Sequence, residues 1–111
     1  IPYFYQQMDQ TYEVNCHWAE KLLGLPQLKK LPSEYLREHA HWGVFDDPIG
    51  IQLRHMVGVD KVMWSTDFPH IVTVWPDSLK LVEEQFSGVP ENEKQAMLAG
   101  NAVKFFHLDA A

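Results

Sequence analysis

The chain has 111 residues with 46% hydrophobic and 22% charged side chains, which excludes a disordered polypeptide and fits one modest core. Fifteen acidic residues against nine Lys and Arg give a formal charge of -6, which argues against a nucleic-acid partner, whose phosphates call for a basic footprint. No apolar run approaches the roughly 20 residues that span a bilayer, so no membrane partner is expected. Cys16 is the single cysteine, so no internal disulfide forms, and a reducing, cytoplasmic setting is expected.

Ile1, Phe4 or Tyr5, Met8 and Tyr12 recur at helical spacing behind Pro2. They predict a helix over 2–23 closed by Gly24. A connector with two prolines follows, and Ser33 is expected to cap a short helix at EYLREH. HWGVF, residues 41–45, reads as a strand ended by Asp46-Asp47-Pro48. IGIQLRHMV, residues 49–57, reads as a helix stopped by Gly58, and KVMW, residues 61–64, as a second strand. After a loop rich in proline and aromatics, Asp77 or Ser78 is expected to cap a helix over 78–86. Pro90 starts another helix with Gly100 as its stop, and Asn101 caps the last turns. Short apolar strands separated by helices are the pattern of a parallel α/β architecture. The two strands should be parallel neighbours joined by the helix at 49–57.

The stretch WSTDFPH drives the second strand into a lone acid and then a proline. In parallel α/β folds the carboxyl ends of strands face the active site, so Asp67 is a candidate catalytic carboxylate or metal ligand. The competing reading is an Asx turn capped by its own side chain. One acid is not a metal site, and the chain has no HExxH or paired CxxC. His70, three residues on, is a candidate partner to a ligand or donor to a substrate carboxylate; the alternative is a loop histidine bonded to backbone. Asp46 is the first acid after the other strand and a weaker substrate-binding candidate, with turn closure as the competing role. Trp75 is a candidate pocket wall that stacks on a planar substrate, against the alternative of covering the rim.

WSTDFPH followed by TVWPDS resembles the C-terminal signature of the amidohydrolase-related family of metal-dependent TIM-barrel enzymes. The similar branch includes aminocarboxymuconate-semialdehyde decarboxylase. IPYFYQQMDQTYE resembles the segment after the histidine-bearing turn of strand six, HWGVFDDPIG resembles strand seven, and the GN of AGNAVKFF resembles the start of the closing helix. The resemblance implies an α/β fold in which residues 1–111 are the C-terminal part of one TIM (β/α)8 barrel domain, strands seven and eight with flanking helices. It implies that this is not a complete independent domain. Asp67 falls on the family's metal ligand, which can also take a proton during hydrolysis. One divalent ion, zinc by resemblance, would need histidine ligands outside this chain, from an N-terminal barrel segment or a companion chain. Tyr3, near the mouth by the same resemblance, is a weak substrate-binding candidate. The expected activity is metal-dependent hydrolysis of a small organic substrate, with decarboxylation of a small, aromatic carboxylic acid as the alternative. A non-catalytic assembly subunit is the rival from another class, and a homo-oligomer is compatible with each.

Overall fold

Pro2 opens the first helix, α1 (Pro2–Leu23), at a position whose N–H has no helical acceptor in any case. Gly24 closes it in the left-handed region (φ 65°), and the N–H groups of Gly24 and Leu25 reach the carbonyls of Glu20 (3.1 Å) and Ala19 (3.4 Å). The computed structural model describes residues 1–108, and the chain divides into two units, Ile1–Ala40 and the part that begins at His41.

The first unit pairs α1 with α2 (Pro32–His39). Ser33 does not cap α2. Leu31 holds the N-cap position, and the Glu34 carboxylate accepts its N–H at 2.8 Å. Ser33 lies inside the first turn, buried, where its N–H (2.9 Å) and Oγ–H (2.6 Å) both donate to the carboxylate of Asp9 on α1. The capping acceptor therefore comes from another helix 24 residues away. Nearby, the Arg37 guanidinium lies 4.4 Å from the centre of the buried Tyr5 ring.

In the second unit β1 (Trp42–Val44) and β2 (Val62–Trp64) are parallel neighbours, with Trp42 opposite Val62 and Val44 opposite Trp64. Parallel strands need a crossover, and helical segments supply it. The expected helix over 49–57 is broken into α3 (Pro48–Gln52) and α4 (Arg54–Val57), with Leu53 at φ -92°, ψ 11° between them. Arg54 explains the break. Its Nη1 donates to the Ile51 carbonyl at 3.0 Å while its Nε pairs with Glu93 at 2.6 Å, so a side chain takes a carbonyl that a continuous helix would use. Gly58 (φ 112°) and a 3-10 turn, Val59–Lys61, then lead into β2.

After β2 come α5 (Ser78–Gln85) and a long final helical run. Asp77 stands at the N-cap position of α5 without a side-chain capping bond. The final run does not stop at Gly100, whose φ of -58° is helical. It passes from α6 (Glu91–Gln95) through a π segment (Ala96–Gly100) into α7 (Asn101–Phe105). Asn101 is not a cap but a buried side chain whose amide donates to the carbonyls of Val59 and Val62. Val44, Ile51, Val57, Val62, Val82, Phe86 and Met97 form the core between the two strands and these helices.

Candidate functional site

The parallel ladder runs one step past β2, where the Ser65 N–H donates to the Val44 carbonyl at 2.8 Å. The Trp64 indole N–H donates to the Phe45 carbonyl, also at 2.8 Å, and ties the exits of the two strands together. The loop that follows is closed at its base on Thr66, whose carbonyl accepts from the Val74 N–H (3.2 Å) and the Thr73 hydroxyl (2.6 Å). The peptide bonds before Pro69 and Pro76 are cis.

Asp67 is the first residue beyond that closure, and its φ of 56° puts it in the left-handed region that non-glycine residues rarely occupy. It is not an Asx turn. Position 69 is a proline with no N–H to donate, and the short-range acceptor here is Thr66 Oγ1, which takes the Phe68 N–H at 3.3 Å. Among the described residues no hydrogen bond reaches the Asp67 carboxylate; Nδ1 of His70 lies 3.6 Å from it. Both side chains are open to solvent in this chain, Asp67 at 45% and His70 at 62%. The His70 N–H donates to the Asp67 carbonyl at 2.8 Å, so backbone closure brings the two side chains to one turn.

The other candidates divide. Trp75 meets Phe68 edge-on, ring centres 6.0 Å apart, and with Thr66 the two rings line a cleft of about 320 Å³ beside Asp67 in the chain. Phe68 escaped the sequence reading, although an aromatic residue between the acid and a proline was its visible signal. Asp46 is exposed and accepts from Gln85 Nε2 at 2.9 Å. Asp47 caps α3, its Oδ1 accepting the Gly50 N–H at 2.8 Å. Tyr3 belongs to the first unit, on the first turn of α1, and is 73% exposed. A larger groove of about 470 Å³ lies in that unit between α1 and residues 25–28; it is apolar, and Cys16 is among the residues that line it.

The donor set limits what the site can hold. Among the described residues no three His, Cys, Asp or Glu side chains are grouped to bind a metal. Asp67 offers one uncommitted carboxylate and His70 one nearby imidazole, short of the roughly four ligands zinc takes.

A family model described as amidohydrolase matches residues 16–108. No curated protein matches the sequence at a significant level. Among solved structures, 5-carboxyvanillate decarboxylase from Sphingomonas paucimobilis is similar with a TM-score of 0.76 at 23% identity, over 98% of this chain and 31% of that chain. Likeness at that identity shows a common fold. The chain spans less than a third of that protein's length.

Proposed function

Because the chain belongs to the amidohydrolase family, whose model covers residues 16–108, we propose that it contributes strands seven and eight of a metal-dependent TIM-barrel enzyme. Asp67 acts there as a ligand to one divalent ion and as the site's proton acceptor. The observation that carries this reading is the free carboxylate of Asp67, held in a left-handed turn at the exit of β2 with no structural hydrogen bond among the described residues. A strained backbone around an uncommitted acid at a strand's carboxyl end is where α/β enzymes keep their chemistry.

When bound, a divalent ion, zinc as the first candidate, supplies Lewis acidity to the site. Asp67 takes the proton released as water attacks a substrate carbonyl, then returns it to the leaving group. His70, 3.6 Å away, steadies the Asp67 charge when protonated or donates to a substrate carboxylate. The remaining ligands, histidines, come from barrel strands outside these 111 residues.

Hydrolysis is the first reading. Decarboxylation of a small aromatic acid is the second, favoured by the Phe68–Trp75 cleft, sized for a substituted ring, and by the likeness to a decarboxylase. In that reaction the C–C bond breaks to release CO₂, and Asp67, having taken a proton from solvent, passes it to the ring carbon that the carboxylate leaves.

The test is purification of the complete barrel, this chain together with the strands that close it. Metal content is measured, and a panel of amides, esters and aromatic acids is followed for carbonyl hydrolysis and for CO₂ release. About one metal per barrel with hydrolytic turnover supports the first reading; CO₂ release from a ring acid supports the second. A closed barrel with neither metal nor turnover would make the chain a non-catalytic assembly subunit.

A further inference from the structure

Asn101 is nearly as buried as any side chain in the second unit, 3% exposed, and its environment is specific. Both donors of its amide nitrogen are engaged, one with the Val59 carbonyl and one with the Val62 carbonyl, each at 2.7 Å. Val59 opens the 3-10 turn and Val62 is the first residue of β2. One planar amide therefore clamps the junction at which the strand begins.

The π segment makes that reach possible. In a continuous α-helix successive residues advance by about 100°, so the wider π turn changes by a similar amount which face everything after it presents. Asn101 follows the π segment directly, and Met97 within it is the most deeply buried core residue of the run, 1% exposed. Both look onto the strand layer. Met97 fills the core, and Asn101 holds the strand entry.

From the argument that Asp67 is the working carboxylate, we infer that Asn101 is its positioning residue: by fixing where β2 starts, the Asn101 amide fixes where the carboxylate at the strand's exit stands. β2 is three residues long and, among the described residues, β1 is its only neighbour in the sheet. A strand this short carries few ladder bonds to hold its register, and a one-residue slip displaces its exit by about 3.3 Å and turns each side chain to the opposite face. A ligand or proton acceptor tolerates a misplacement of only about 0.5 Å.

The experiment uses the complete barrel enzyme with Asn101→Ala, Asn101→Gln, Phe86→Leu and Asp67→Asn made in parallel. Each is checked for folding by circular dichroism and studied well below its melting transition. Asn101→Ala is expected to lower kcat about tenfold at unchanged KM, and to weaken divalent-metal affinity, read by chelator competition, by about the same factor. Asn101→Gln returns both donors on a side chain one methylene longer. It should recover most of the melting temperature and still lose kcat. Phe86→Leu, a core change at the C-terminal end of α5 with no hydrogen bond to β2, should lower the melting temperature and leave kcat and metal affinity intact. Wild-type kcat and metal affinity in folded Asn101→Ala would overturn the inference, as would an equal loss in Phe86→Leu. If Asn101→Ala fails to fold, Asn101→Gln decides: full kcat overturns the inference and reduced kcat at unchanged KM supports it. An inactive Asp67→Asn beside fully active Asn101 variants rejects the positioning role alone. An active Asp67→Asn rejects the functional reading beneath it.

Discussion

Oδ2 of Asp67 lies 3.6 Å from Nδ1 of His70, across a turn closed by the His70 N–H on the Asp67 carbonyl. Asparagine also tolerates the left-handed backbone, so Asp67→Asn removes the charge while keeping the turn. In the complete enzyme it should fold normally and lose turnover by at least about a hundredfold, the scale of a lost general base, with weaker metal retention. His70→Asn should be milder, about tenfold, because it acts through the carboxylate. Turnover and bound metal per folded enzyme check both; near-normal turnover at full metal occupancy in Asp67→Asn would sink the assignment.

The Phe68–Trp75 pair predicts a preference for planar substrates. Trp75→Leu should raise KM for a ring acid about tenfold, equivalent to about 1.4 kcal/mol, and leave KM for a short aliphatic acid within a factor of two. Steady-state kinetics on the two substrates decides it. Equal changes for both would mean that the indole only covers the rim.

Leu79 (82%), Ile71 (94%) and the Phe68 and Trp75 rings are all open to solvent, and each strand has a single neighbour among the described residues. Apolar patches and strand edges of this kind drive association. The isolated 111 residues should therefore sediment as aggregates or melt without a cooperative transition. A monomer with a sharp calorimetric peak would contradict this.

Lys30 hydrogen-bonds to Glu38, and that bond is the main cause that holds the Glu38 carboxyl below its usual range and lifts the Lys30 ammonium above its own. For Glu38 the contribution to stability is present above the ordinary carboxylate range and fades as pH falls through the lowered value. For Lys30 it is present below the ordinary amine range and fades as pH rises through the raised value. Both side chains are open to solvent, Lys30 at 44% and Glu38 at 47%, so salt screens the charge component. Carboxyl NMR should find the Glu38 midpoint depressed, and moved back toward the ordinary range in Lys30→Ala. An unchanged midpoint in that variant would assign the shift elsewhere.

Local signals made α1 and the parallel pair legible: a three-to-four-residue apolar period between Pro2 and Gly24, and two short apolar runs spaced by helix-forming residues. What escaped was non-local. The break at Leu53 follows from Arg54 reaching Glu93, 39 residues on, and Ser33 is claimed by Asp9 on another helix. Gly100-Asn101 has the composition of a helix stop and cap, yet tertiary bonds to Val59 and Val62 keep it inside a helical run. At the candidate site, the meeting of Asp67 and His70 was legible because their spacing is short and the turn is local. The hold of Gln85 on Asp46 and the edge-on ring of Phe68 depend on how the loop and α5 fold back, which spacing does not encode.

The cap on α3 has a consequence for how this loop can evolve. A Cβ added at Gly50 would stand 2.2 Å from Oδ2 of Asp47, so any side chain at 50 evicts the capping carboxylate. In the present background Gly50→Ala gains about 1 kcal/mol of helix propensity and forfeits a cap of about the same size, leaving the change nearly neutral. Once Asp47 has become Ala, the same substitution is favourable by about 1 kcal/mol. The two sites are epistatic, and the order of substitution matters. A lineage that first loses the acid is drawn toward alanine at 50, after which restoring aspartate at 47 no longer restores the cap, so the path is harder to retrace than to take.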